Sequence, residues 1–294
     1  VRDKQIYMSA VNSVGIKELV ELIKGQVYAD NTDVTFLFPY DKGNMVSYFM
    51  ENATILNQKK IGNVTYYLVN INGNQVYVIL VGAGKVNVAS GLMYALVKLC
   101  IKKVIVVGNA ASLNEEEYPI GSVAIATGSL EWDVNYINLG YPANVVPGNT
   151  VSIYPTDSTF FKEAVDASNG LGYTTYTGLV ASGDTFVAST AQADQIETAT
   201  GADFLDVETG VVGQIAFEYN IPYISVKGIS NYATDTALAD YNANKETANN
   251  LANRVVLNML ESLNEENNEL CNTMNTKTTY ACPCNLRNSW NFFF

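Results

Sequence analysis

Five short segments carry the side chains able to do chemistry: Gly82-Ala-Gly-Lys-Val86, Gly108-Asn-Ala-Ala-Ser112, Ser182-Gly-Asp-Thr-Phe186, Asp206-Val-Glu-Thr-Gly210 and Lys227-Gly-Ile-Ser-Asn231. Their carboxylates accept hydrogen bonds, and their lysines and amides donate them. Each segment also has a plain structural reading. Gly82-Ala-Gly84 suits a tight strand-to-helix turn. Asp206 and Glu208 suit a helix start, where the macrodipole favours acids. Phe186 suits an ordinary core position. What the chain lacks narrows the chemistry further. It has no histidine, which excludes imidazole bases, imidazole proton relays and imidazole metal ligands. Its only arginines are Arg2, Arg254 and Arg287. None falls in the five segments, although Arg is the usual clamp for a bound phosphate.

Short apolar runs precede most of these segments. Val76-Tyr-Val-Ile-Leu-Val81 reads as a strand buried on both faces, Val104-Ile-Val-Val-Gly108 as a second buried strand, Ser122-Val-Ala-Ile-Ala-Thr127 as a third, and Tyr223-Ile-Ser-Val-Lys227, just after Pro222, as another. A helical stretch from Val86 to Leu99 lies between the first two. Strand, helix, strand in this spacing predicts right-handed crossovers and an α/β fold, a three-layer αβα sandwich around a central, mostly parallel twisted sheet. Ligands of such sheets bind beyond the carboxyl ends of the strands, where the five segments fall. Leu251, Val255, Met259 and Leu263 share one helical face and predict a closing helix over 247–263. Residues 1–263 are therefore read as one domain. From Asn264 the chain turns amide-rich and acidic, and 264–294 is read as a separate tail that begins as a solvated linker.

Hydrophobic residues make up 48% of the 294 positions and charged ones 16%, a globular composition. The net charge of -12 repels phosphate backbones and argues against nucleic acid as a partner. No apolar run is long enough to span a bilayer, so no membrane association is expected.

The order and spacing of the five segments resemble the nucleosidase branch of the nucleoside phosphorylase superfamily, close to methylthioadenosine/S-adenosylhomocysteine nucleosidases. The similarity runs from about Val76 to Leu263. It is strongest at Gly82-Ala-Gly-Lys-Val86, Ser182-Gly-Asp-Thr-Phe186, Val207-Glu208 and Val226-Lys-Gly-Ile-Ser230. The resemblance implies a purine nucleoside as ligand and no metal or other cofactor. It implies that Phe186 and the Val187 backbone meet the purine and that Val207 packs against base or ribose. Glu208 would accept from the ribose hydroxyls, as a carboxylate can from both hydroxyls of a cis-diol. Lys227 takes the place of a basic residue that is usually Arg. Asn109, Ala110 and Ala111 replace a Ser-Ala-Gly-like turn beside the sugar, and Ser230 belongs to the last motif.

Two positions depart from the family pattern. The general acid of the family is an Asp after the Ser of the last motif, and here that position is Asn231. An amide donates a hydrogen bond but delivers no proton. The family also places a Glu-rich run after its first strand. Here the strand-like Ile6-Tyr-Met-Ser-Ala10 leads to Val11-Asn-Ser-Val-Gly-Ile-Lys17, and Glu18 is the nearest carboxylate. Two readings follow: a purine nucleosidase that hydrolyses the N-glycosidic bond, with phosphorolysis disfavoured, or a catalytically degenerate relative with a structural, self-assembling or storage role.

The tail adds Cys271, Cys282 and Cys284 to Cys100 and ends in Trp290-Asn-Phe-Phe-Phe294. Three clustered cysteines without histidine are an incomplete zinc set. Four large aromatics at a chain end predict docking, in a groove of the same subunit or of a neighbour, with a disulfide holding the tail down; the neighbour is favoured, and a homo-oligomer is expected. The sequons Asn52-Ala-Thr54 and Asn63-Val-Thr65 suit an extracellular or lumenal protein, with a cytoplasmic one as the alternative.

Overall fold

The structure, a computed structural model, describes residues 34–39 and 46–273, with backbone alone for 262–273. Ile6–Ala10, Glu18, the side chain of Cys271 and the aromatic end of the tail lie outside the described residues. In chain order the elements are β1 (Val34–Phe38), α1 (Ser47–Glu51), β2 (Thr54–Ile61), β3 (Val64–Ile71), β4 (Asn74–Leu80), α2 (Lys85–Tyr94), β5 (Lys103–Ser112), β6 (Val123–Glu131), β7 (Tyr154–Pro155), α3 (Ser158–Gly170), β8 (Thr175–Ser182), α4 (Thr190–Thr200), β9 (Phe204–Asp206), α5 (Thr209–Tyr219), β10 (Tyr223–Tyr232) and α6 (Ala237–Thr273).

Successive side chains of a strand point to opposite faces, and that alternation builds the layers. Phe36 and Phe38 of β1, Val76 and Val78 of β4, Ile105 and Val107 of β5 and Ile224 and Val226 of β10 face one side. There they meet Phe49 of α1, Phe160 and Ala164 of α3 and Ala252, Val255, Val256 and Met259 of α6. Leu37, Ile79, Val104 and Val106, one step out of phase, face the other side and meet Val88 and Leu92 of α2 and Val211, Val212 and Ile215 of α5. Helices thus cover a central sheet on both faces, as the apolar runs predict.

Parallel ladders join β4 to β1, β1 to β5 and β5 to β10, and likewise β6 to β8 and β8 to β9. Antiparallel ladders form the β2–β3–β4 meander and the closures β10–β6 and β5–β9. Because β10 pairs with both β5 and β6, one half of the sheet rolls into a ring of β5, β10, β6, β8 and β9. The carboxyl ends of β5, β8, β9 and β10 consequently converge.

The closing helix differs from the sequence reading at both ends. It starts at Ala237, not 247, and its backbone stays helical to Thr273, past Leu263. At its start the Ala239 and Asp240 amides donate to the Thr236 carbonyl, and the Thr236 hydroxyl donates to Asp240 Oδ2 at 2.7 Å. Between 237 and 273 there is neither Gly nor Pro to break it. The expected apolar face holds where it is described: Val255 and Met259 are fully buried and Leu251 is partly so. Gly228 lets α6 approach β10 closely. A Cβ there would stand 1.9 Å from the Ala248 carbonyl oxygen.

Candidate active site

The converging strand ends enclose a cavity of about 380 Å³. Pro39, Ala83, Gly84, Asn109, Ala110, Ala111, Asp184, Thr185, Phe186, Val187, Leu205, Asp206, Val207, Glu208, Ser230, Asn231 and Tyr241 line it. All five sequence segments therefore contribute to one wall or another. The plain readings hold for some of these residues as well. Gly82 and Gly84 both adopt positive φ, as a tight turn into α2 requires, and Ala83 and Gly84 still face the cavity. Phe186 is not core: half of it is exposed, and its ring stands edge-on to Tyr241 at 5.7 Å.

Asp206 and Glu208 take different parts. Asp206, at the end of β9, accepts from the Ser182 hydroxyl of β8 and from the Thr209 hydroxyl and amide at the start of α5. Thr209 is tied in turn to Ser225 of β10 at 2.9 Å. Glu208 instead points at Lys227, and its Oε2 accepts from the Val207 amide at 3.2 Å. Gly108 lies close by: a Cβ there would stand in ordinary contact with Pro39 at 3.4 Å and Glu208 Oε1 at 3.5 Å.

Lys227 does not line the cavity. It is fully buried beneath it, paired with Asp206 at 3.0 Å and with Glu208. Its part is to hold the carboxylates rather than to touch a ligand, because both partners stand between it and the open space. Burial alone pulls the Lys227 ammonium down, but the two carboxylates outweigh it and leave its pKa raised. Burial likewise pushes Asp206 up, yet the Lys227 charge and the hydroxyl donors of Ser182 and Thr209 hold it below its ordinary value. Glu208 ends the other way: burial first, then the Asp206 charge, push it up to about 7 despite Lys227.

Asn231 sits at the last motif with its amide orientation fixed. The Ser230 hydroxyl donates to its Oδ1 at 2.8 Å, and its Nδ2 donates to the Tyr232 carbonyl at 3.0 Å. Only nitrogen can donate to that carbonyl, so the oxygen and nitrogen cannot be exchanged. The contacts described commit one amide hydrogen and leave the second for a ligand acceptor. Asn109, on the neighbouring strand β5, donates to the Lys245 carbonyl of α6 at 3.0 Å. Ala110 and Val187 are buried.

At the mouth, Lys85 is paired with Glu131 at 2.5 Å and with Asp133. The Lys85 amide, first in α2, donates to Asp184 Oδ1 at 2.8 Å, and the Asp184 amide donates to Asp133 Oδ2 at 3.1 Å. Among the described residues the charged ones of the lining are Asp184, Asp206 and Glu208, with no lysine or arginine. Among the described residues, Lys85 and Lys227 thus pair with four carboxylates, Glu131, Asp133, Asp206 and Glu208, and Asp184 is held by a backbone amide.

Sequence reasoning passes over Tyr241, Asp184 and the part of Asp206. Tyr241 comes from the first turns of α6, which begin ten residues before the apolar face that reveals the helix. Asp206 had a signal in the Asp-x-Glu spacing after a strand, since two residues along an extended chain return to the same side.

The model of the phosphorylase superfamily matches residues 43–261. A 5′-methylthioadenosine/S-adenosylhomocysteine nucleosidase of Halalkalibacterium halodurans is 26% identical over 201 residues, covering 68% of this chain and 86% of the relative. The fold is shared with a solved nucleosidase of that name from Neisseria meningitidis, in complex with methylthio-immucillin-A. Its TM-score is 0.74 at 22% identity, over 79% of this chain and 99% of that one. Futalosine hydrolase of Helicobacter pylori superposes equally well, with a TM-score of 0.74 at 17% identity over 79% and 99% of the two chains.

Proposed function

Since the chain belongs to the phosphorylase superfamily, we propose that it is a purine-nucleoside hydrolase, which cleaves the N-glycosidic bond with water. The observation that carries this reading is the wall of the cavity, where the described residues bring three carboxylates and no lysine or arginine. As the bond from C1′ to the base nitrogen breaks, positive charge develops on the ribose, and fixed carboxylates nearby stabilise it. The same wall disfavours phosphate as the incoming nucleophile, because an anion gains nothing there and is repelled. Water adds its oxygen to C1′. One of its protons stays on the sugar hydroxyl and the other is balanced by a proton arriving on the departing purine.

Within this reading Glu208 accepts from the ribose hydroxyls, with Lys227 and Asp206 fixing its position. Phe186 and Tyr241 offer aromatic surface to the base, and Val187 and Val207 pack beside it. The free amide hydrogen of Asn231 meets a purine nitrogen acceptor. It orients the base but supplies no proton, so the leaving group takes its proton from elsewhere and turnover is slower than with a carboxylic acid there. Names of the relatives, which are nucleosidases and a hydrolase, support hydrolysis over phosphorolysis.

The test is incubation with inosine, adenosine and methylthioadenosine, with free base followed by chromatography, with and without phosphate. Base release at equal rates in both buffers is expected. Release that requires phosphate would make the protein a phosphorylase, and none from any nucleoside would remove the enzymatic reading.

A further inference from the structure

A helix start that follows a Gly-x-Gly turn and carries a lysine has the makings of an anion cradle: amides pointing out, dipole positive, cation adjacent. In this chain the turn Gly82-Ala-Gly84 and Lys85 adjoin the cavity, yet the first amide and the ammonium are both taken by acids. The first amide of α2 is taken by the Asp184 carboxylate at 2.8 Å. The Lys85 ammonium is taken by Glu131 at 2.5 Å and by Asp133. Asp133 also accepts from the Asp184 amide, so the two acids are locked together. Of these acids Asp184 is the one that lines the cavity, and it does so from an exposed position. A ligand entering past α2 therefore meets a carboxylate where it would otherwise meet a helix dipole.

We propose that Asp184 is a specificity-determining residue of the cavity: its carboxylate, held on the first amide of α2 and braced by Asp133, selects neutral nucleosides and turns away phosphorylated ones. The inference rests on the nucleoside reading above and adds the substituent that the pocket refuses. Two physical effects combine. The carboxylate occupies the first amide of α2, which a phosphate ester would otherwise use, and its charge repels the ester. Because Asp184 is exposed, solvent screens it, and the charge alone is worth about a fivefold preference at low salt.

The experiment compares adenosine with adenosine 5′-monophosphate by calorimetry at low and high salt, in the full-length protein and in Asp184→Asn. The amide keeps the shape and can still accept from the Lys85 amide while losing the charge. Wild type is expected to prefer the nucleoside. Asp184→Asn is expected to narrow that preference by about fivefold or more at low salt, and Asp184→Glu to retain it. In wild type the preference also shrinks as salt rises. A preference unchanged in Asp184→Asn, or a wild type that binds the monophosphate as tightly as the nucleoside, overturns the assignment.

A second readout stands apart from nucleoside binding. Trp132 packs against Gly183, where a Cβ would come within 2.5 Å of its indole nitrogen, so its fluorescence reports on this corner. Titration with inorganic phosphate is expected to give a saturable change in the double variant Asp133→Asn/Asp184→Asn and none in wild type. The same response in both proteins contradicts the assignment. A gain in the double variant alone supports the exclusion of phosphate by these acids, whereas failure of both proteins to bind any nucleoside overturns the nucleoside reading and the selection that rests on it.

Discussion

Glu208 concentrates the chemistry of the cavity in one side chain. It is buried, it faces a second acid, and one lysine serves both. Replacing it with Gln removes the charged acceptor, and nucleoside affinity in calorimetry is expected to fall by about 1–3 kcal/mol. Its titration gives a second, independent signature. With the carboxyl pushed up to about 7, the ionised form that accepts from two hydroxyls is lost as pH falls through that value. Nucleoside affinity is expected to level off above about 7 and to weaken by up to about tenfold per pH unit below it. Glu208→Gln is expected to flatten that profile, and a profile of the same shape in the variant would take Glu208 out of the site. The stability contribution of this group has the opposite sense. Its folded pKa is raised, so the folded protein binds the extra proton, and the stabilisation this brings at low pH is lost as pH rises through about 7. Asp206, held low, works in reverse and gives up its contribution as pH falls. Asn231 limits the reaction in a different way. Asn231→Asp restores a proton donor at a place where the Ser230 hydroxyl already orients the side chain. Release of adenine is expected to accelerate by about 10²–10⁴-fold, and a variant no faster than wild type would show that protonation is handled elsewhere.

The elements matter through the places where they meet. Ser230 and Asn231 end β10, Tyr241 begins α6, and the approach of the two at Gly228 fixes the distance between them. Gly228→Ala would push a methyl into the Ala248 carbonyl and force the helix outward. A loss of about 1–3 kcal/mol in denaturant melts is expected, together with weaker nucleoside binding, although neither residue touches the ligand. An unchanged melt would mean that the two elements yield more easily than their packing implies. This junction also separates what was legible in the chain from what was not. Val104–Val107 announces a buried strand because it is apolar on both faces, and Tyr223–Lys227 through its apolar Ile224 and Val226 just after Pro222. Val255 and Met259 announce the helix because they repeat at its period. The first ten residues of α6 carry little apolar periodicity, since they face the cavity and solvent, and Tyr241 was invisible for that reason. The ring closure of the sheet was equally hidden. It depends on β10 pairing at both edges and on the three-residue β9, and no local pattern encodes either.

At the scale of the whole molecule, the motifs bring to one cavity residues from distant parts of the chain: Phe186, Glu208 and the neighbours Ser230 and Asn231. Lys227, expected at the ligand, lies buried outside the lining, because a motif records which residue is present but not which way it points. Its neighbours Asp206 and Glu208 turn it inward. The aromatic end of the chain gives a prediction of its own. Removing residues 274–294 deletes Trp290 and three phenylalanines, each able to bury about 150–250 Å². A smaller assembly in light scattering is expected, and an unchanged mass would show that the tail builds no interface. The measurement that bears most directly on the whole reading is a crystal structure of the protein soaked with a purine nucleoside. The ribose cis-diol is expected within hydrogen-bonding distance of Glu208, the base against Phe186 and the Asn231 amide on a purine nitrogen. A nucleoside bound away from Glu208, or a cavity that stays empty at saturating nucleoside, would contradict it.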